Sequence, residues 1–198
     1  MEREKAIVIN WSGFLTHLDL DRSENAGLLS KGGIYLWIYN GRIIYVGKAD
    51  CFRDRFLQHI CNVIGGRSLI LDCHDGDPYD VLCEGRLASA RDEKKVFVPF
   101  DKFSDFWDTW RIERSLEFIS HCKFTFGVMD GVENSLFSEV EGGIIKWLGE
   151  KYKLARTPTG RANHWIIGAV SKYPTTKYSL QHVYLGLRGS LPSLPDKI

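Results

Sequence analysis

Gly33-Ile34-Tyr35-Leu36-Trp37-Ile38-Tyr39-Asn40-Gly41-Arg42-Ile43-Ile44-Tyr45-Val46-Gly47 is the stretch whose reading decides the fold. Two runs of β-branched and aromatic residues flank Asn40-Gly41. An Asn-Gly pair between such runs signals a β-hairpin, because both residues accept the positive φ of tight turns whose twist matches the strands. Two registers compete. A two-residue loop at Asn40-Gly41 sets Tyr35 opposite Val46, whereas a three-residue loop, Tyr39-Asn40-Gly41 with Gly41 left-handed, sets Tyr35 opposite Tyr45. The second sorts the faces better, with Ile34, Leu36, Ile38, Ile44 and Val46 on one side and Tyr35, Trp37, Ile43 and Tyr45 on the other, and it is the register expected.

Beyond Gly47 the periodicity becomes helical. Asp50 is the expected N-cap and Gly65-Gly66 the stop, with Phe52, Phe56 and Val63 forming an apolar stripe. Arg55 and His59, four residues apart, border that stripe, where the helix meets the sheet. Taken alone, such residues are more often a surface ion pair. Before the hairpin, Ala6 to Leu15 reads as a strand or a short helix, and Asp19 to Lys31 as a polar loop. Residues 67–121 read as an insertion. It holds a strand at Ser68–Asp72, an acidic loop with Asp75, Asp77 and Asp80, a charged helix around Glu84–Lys94, a short strand Val96–Pro99 and an aromatic helix around Ser104–Ser120. A strand Lys123–Met129 then leads to a helix near Glu133–Lys151, whose apolar positions are Leu136, Phe137, Val140, Ile144, Ile145 and Leu148. The expectation is one α/β domain. Its core, residues 32–66 and 122–165, is a small mixed or antiparallel sheet flanked by helices, with a largely helical insertion and a C-terminal extension over 151–195.

That extension carries the charge asymmetry of the chain. Lys151, Lys153, Arg156, Arg161, Lys172, Lys177 and Arg188 fall between Lys151 and Pro195, with no Asp or Glu among them. The chain's 26 basic residues, less these seven, leave 19 against 25 acidic ones elsewhere. Tyr152, Trp165, Tyr173, Tyr178 and Tyr184 interleave with the basic residues, and a basic, aromatic, acid-free segment suits phosphate neutralisation as well as it suits a solvated face. No apolar run approaches the ~20 residues of a membrane helix, and no leader is visible, so a cytoplasmic protein is expected. The five cysteines, Cys51, Cys61, Cys73, Cys83 and Cys122, show no C-x-x-C pair. Reduced, mostly buried thiols are therefore expected rather than a disulfide framework or zinc at Cys73, His74 and Cys83.

Gly33-Ile34-Tyr35 and Tyr45-Val46-Gly47, with Lys48 next, Arg55 ten residues after the second tyrosine and His59 one turn later, resemble the GIY-YIG nuclease superfamily. Glu141-Gly142-Gly143-Ile144-Ile145-Lys146 is similar to that family's acidic helix, and Asn163, beyond Pro158, to its later asparagine. The resemblance is tight over Gly33–His59 and loose over Lys123–Asn163, with the insertion between Arg55 and Glu141. It implies a Mg²⁺- or Mn²⁺-dependent endonuclease cutting DNA, of restriction or defence type. Tyr35, Tyr45, Lys48, Arg55, His59, Glu141 and Asn163 would form its catalytic set. Glu141 would be the metal ligand, with Glu139 as rival. Lys153, Arg156, Arg161, Lys172, Lys177 and Arg188 would lie against double-stranded DNA, and a homodimer would cut both strands. A structure-specific or mobile-element nuclease is the alternative within the class, and an inactive DNA-binding module the alternative outside it.

The residue types suit the chemistry. Mg²⁺ takes oxygen ligands and often only one or two carboxylates. Arginine is always charged and forks onto phosphate oxygens. A tyrosine is a weak base unless cations or a metal favour its phenolate. The resemblance implies Tyr35 as base with His59 or Lys48 assisting, and Tyr45 orienting water or phosphate; the residues themselves leave the choice between the two tyrosines open.

Overall fold

The computed structural model describes residues 6–68, 70–72, 76–83, 96–97, 109–154, 178–185 and 193–198. Among them a five-stranded mixed sheet is flanked by helices, an α/β architecture as expected. The strands are β1 (Ala6–Trp11), β2 (Gly33–Tyr39), β3 (Arg42–Ala49), β6 (Lys123–Val128) and β7 (Ser179–Tyr184), in the order β3-β2-β6-β1-β7. All neighbours are antiparallel except β1 and β7, which are parallel. A separate two-stranded pair joins β4 (Ile70–Leu71) to β5 (Val96–Phe97). The helices are α1 (Ala26–Leu29), α2 (Phe52–Ile64), α3 (Pro78–Leu82), α4 (Thr109–His121) and α5 (Asn134–Tyr152). No helix among the described residues is long and apolar enough to cross a membrane.

The expected hairpin register is corrected. Asn40 and Gly41 both have positive φ, 46° and 74°, and Tyr39 pairs with Arg42, so the loop has two residues and not three. Positive φ at both central positions is what a tight type I′ turn requires, and Asn-Gly supplies it cheaply. The register then slips between Trp37 and Ile38: Ile38 pairs with Ile43, but Trp37 pairs with Tyr45, so Ile44 is a bulge residue. Tyr35 consequently faces Gly47, not Tyr45. The bulge inserts one residue into β3 and so restores the parity that the shorter loop would have broken. Tyr35 and Tyr45 still leave the same side of the sheet, diagonally placed, while Ile43 moves to the side of Ile38. Pattern reading cannot see an inserted residue, because the alternation resumes on either side of it.

Both sides of the sheet are buried, and the aromatic side carries the largest rings. Tyr35 sits opposite Phe126 and Trp37 opposite Phe124, and all four are fully buried. Phe56 of α2 packs its ring edge-on to Phe124 at 4.7 Å, and Phe118 of α4 lies 5.2 Å from Tyr39. Burying rings of this size contributes about 1.5–3 kcal/mol each, which favours this layer over any alternative pairing. α4, read as part of the insertion, thus packs into the main core, and Ser115 there donates to the Val63 carbonyl of α2 at 3.2 Å.

Other elements differ from their reading. Of the two readings of the stretch from Ala6, the strand is the one found, over Ala6–Trp11, whereas Cys51 rather than Asp50 is the N-cap of α2. Asp19–Lys31 holds a short 3-10 turn at Ser23–Asn25 and the single turn α1. The acidic loop contains α3, started by the Asp77 carboxylate accepting from the Tyr79 amide at 3.0 Å with Pro78 at the first helical position. β7 falls in what read as an irregular tail; there Ile198 and Tyr178 exchange backbone hydrogen bonds and bring residues 193–198 alongside. The charged helix at 84–94 lies outside the described residues. Of the four described cysteines all are free, as expected, but only Cys122 is buried, and Cys61 is exposed.

Arg42, just past the hairpin loop, clamps three elements. Its guanidinium forks onto Asp77 at 2.6–3.1 Å and lies 5.1 Å from the ring of Tyr79 and 5.6 Å from that of Tyr152. Tyr79 also donates to the Ile43 carbonyl at 2.8 Å. The clamp fixes the C-terminal end of α5 against β3, and so the register of α5 along the edge of the sheet.

Candidate active site

β3 is the edge strand, and α2 and α5 both pack against it. An open cleft of about 760 Å³ lies where they meet, lined by Tyr45, Lys48, Asp54, Arg55, Gln58 and Glu141 among others. Four of the expected catalytic residues therefore border one space, and Tyr35 and His59 lie directly beneath Tyr45. The ring centroids of Tyr45 and His59 are 4.2 Å apart, those of Tyr45 and Tyr35 5.8 Å, and the Tyr35 hydroxyl reaches Nδ1 of His59 at 3.5 Å. His59 is buried, and Trp37 covers its other side at 4.5 Å between ring centroids. Trp37 escaped the sequence reading because a tryptophan on a strand reads as core.

Gly47 makes this packing fit. A Cβ there would stand 2.4 Å from Cζ of Tyr35 and 2.6 Å from Cε1 of Tyr45. The glycine facing Tyr35 across the hairpin thus leaves the room in which the two phenols meet.

Burial raises the Tyr35 pKa far above the ordinary tyrosine range, and Tyr45 beside it adds to the shift, outweighing the pull of Arg55. Burial also raises that of Tyr45, but here the hydrogen bond from Tyr35 works the other way. Both phenols therefore hold their protons more tightly than a free tyrosine, and Tyr45 is the one that lines the cleft.

Glu141 enters from the middle of α5, beside the buried stripe Phe137, Val140, Ile144 and Leu148. Burial raises its pKa, while Lys48, Arg55 and the Lys48 backbone N–H that its carboxylate accepts pull it back down. Glu139 lies about 200° around the helix from Glu141 at 100° per residue. It lines a different, smaller pocket with Trp147, Lys146 and Lys197. Of the two carboxylates only Glu141 faces the tyrosines. Among the described residues no three His, Cys, Asp or Glu side chains gather as a metal cluster, so a metal at the cleft would rest on Glu141, with Asp50 and Asp54 at its rim. Those are oxygen donors, the set that suits a hard cation keeping most of its waters.

Two further residues were not read from sequence: Gln58, which lines the cleft, and Ser138, which touches Lys48 beside it. Ser138 Oγ is hydrogen-bonded to Nζ of Lys48, and Gln58 Oε1 accepts from Nη1 of Arg55 at 2.6 Å. Their signal is spacing alone, three residues from Glu141 and from Arg55. Lys153 is exposed, caps the C-terminal end of α5 in a left-handed conformation and does not line the cleft. Asn163, Arg156, Arg161, Lys172, Lys177 and Arg188 lie outside the described residues. No family model matches the chain, and neither a characterised protein nor a solved structure matches it.

Proposed function

We propose that this chain is a divalent-metal-dependent DNA endonuclease that hydrolyses phosphodiester bonds, of restriction or defence type. The observation that carries the reading is the convergence of Lys48, Arg55 and Glu141, from three different elements, on one open cleft floored by Tyr45. A phosphodiester needs its developing negative charge dispersed and a nucleophile activated. Arg55 and Lys48 meet the first need, holding non-bridging oxygens and stabilising charge on the phosphate in the transition state. Glu141 would hold Mg²⁺ or Mn²⁺, which supplies Lewis-acid stabilisation when bound.

For the second need, Tyr45 is the better candidate of the two phenols. It borders the cleft, whereas Tyr35 is fully enclosed, and as a phenolate, the form that Arg55 beside it favours against the cost of burial, it would take a proton from water. Tyr35 then orients Tyr45, and His59 packs edge-on against both. This reverses the roles that the family resemblance implies for the two tyrosines. The basic segment 151–195 would add phosphate contacts and the insertion would add sequence selectivity.

A DNA-binding module without activity is the second reading, favoured by the same cations. Incubating supercoiled plasmid and single-stranded DNA with the protein, with Mg²⁺ and with EDTA, separates them. Metal-dependent nicking or linearisation is expected; binding without cutting at any metal concentration would leave the binding module.

A further inference from the structure

We propose that Ser138 and Gln58 are positioning residues that fix the two cleft cations, Lys48 and Arg55, through neutral hydrogen bonds, so that both positive charges stay available to a polyanionic phosphate backbone. The inference rests on the nucleic-acid part of the reading above, but not on the cleavage step.

Some cations on the described surface are paired with carboxylates. Lys31 meets Asp130 at 3.4 Å, Arg42 meets Asp77 at 2.6 Å, Arg114 meets Glu117 at 2.5 Å and Lys146 meets Glu150 at 4.0 Å. Lys48 and Arg55 are not so paired, and Lys151, which meets the Ser193 hydroxyl at 2.6 Å, is held by a neutral oxygen as they are. Among the described residues neither makes an ion pair within 4 Å, although Asp50 and Asp54 line the same cleft and the Glu141 carboxylate there feels both charges. Each is held instead by an uncharged oxygen, the hydroxyl of Ser138 or the side-chain amide of Gln58.

The placement follows from helix geometry. Gln58 stands three residues after Arg55 on α2, and Ser138 three before Glu141 on α5, so each pair shares one helix face. α5 thereby grips Lys48 at two points, its backbone N–H at Glu141 and its ammonium at Ser138. A long side chain loses rotamer freedom when it binds a ligand, and a tether made beforehand removes part of that cost. A carboxylate would tether equally well but would cancel the charge that a phosphate needs. Neutral acceptors do the first without the second.

The tests are Ser138→Asp and Gln58→Glu, which keep a tether but neutralise, against Ser138→Ala and Gln58→Ala, which untether but leave the charge. Both side chains are exposed, so the fold tolerates these changes, and a melting curve of each variant checks it. Affinity for a duplex oligonucleotide is measured in EDTA across a salt series, and cleavage separately in Mg²⁺. Each carboxylate variant should lower the slope of log K against log salt by about one unit, because one phosphate is no longer neutralised. Each alanine variant should keep the slope and bind roughly threefold more weakly, the value of one pre-ordered side chain. An unchanged slope in both carboxylate variants overturns the proposal, as does wild-type affinity in both alanine variants. Wild-type protein that binds DNA without cutting it removes the nuclease reading and leaves the slopes to decide this one. Protein that binds no DNA removes both.

Discussion

Replacing Gly47 by alanine adds one methyl group at the point where the two phenols meet. Its Cβ would lie 2.4 Å from Cζ of Tyr35, 2.6 Å from the Tyr35 hydroxyl and 2.6 Å from Cε1 of Tyr45. Ordinary carbon contacts begin near 3.4 Å, so something must retreat by about 1 Å. Tyr35 cannot do so freely: it is fully buried, with Phe56 at 6.1 Å, His59 at 6.4 Å and Phe126 at 6.4 Å between ring centroids. Overpacking a dense core costs about 1–3 kcal/mol. At about 2–4 °C per kcal/mol for a chain of this size, the melting midpoint should fall by about 2–12 °C. A shift of about 1 Å at reacting groups costs on the order of a hundredfold in rate, so cleavage should fall much further than stability. Thermal melting by circular dichroism and a plasmid-nicking time course read the two effects separately. A variant that melts within about 1 °C of the wild type and cuts at its rate would refute the idea that Gly47 makes the room for the phenol pair.

Other substitutions test other parts of the molecule. Glu141→Gln should abolish metal-dependent cleavage while duplex binding in EDTA survives; full activity there, with inactivity in Glu139→Gln instead, would show that Glu139 is the metal ligand. The same variant has a pH signature: burial raises the folded-state pKa of Glu141, so the stability linked to its proton is present below the unfolded carboxylate pKa and lost as pH rises through the folded one. Glu141→Gln should therefore raise the melting temperature at neutral pH by more than it does in acid, and equal shifts at both would contradict a desolvated carboxylate. Arg42→Ala removes a forked pair with a half-exposed Asp77 and two ring contacts, and should cost roughly 1–2 kcal/mol in urea unfolding. Gly149→Ala, inside α5 with nothing within 4 Å of the added methyl, should stabilise by about 0.5–1 kcal/mol, and a destabilisation there would mean the helix is not packed as described. Neutralising Lys172, Lys177 and Arg188 together should flatten the salt dependence of DNA binding by about one unit for each phosphate left without its cation, and an unchanged slope would make them a solvated face.

The sequence by itself determined the local elements and the residue set. Periodicity located β2, β3, α2, β6 and α5, because each has an alternation or a stripe that only one backbone geometry can bury. Motif spacing selected Tyr35, Tyr45, Lys48, Arg55, His59 and Glu141. What it could not determine were features that depend on atoms from distant parts of the chain. The bulge at Ile44 exists because tight-turn chemistry at Asn40-Gly41 and burial of both tyrosines make opposite demands on register, and one inserted residue satisfies both. Only the fold separates Glu141 from Glu139, since either fits the helix and packing of α5 against the edge strand decides which one meets Lys48. β7 went unread because its residues pair with β1 from the far end of the chain, and their pattern carries no turn or partner nearby. Ser138 and Gln58 are ordinary surface residues in sequence; they gain a role only where α5 and α2 bring them beside Lys48 and Arg55. Periodicity reports what a segment must bury, whereas the choice of partner is made by packing across the whole chain.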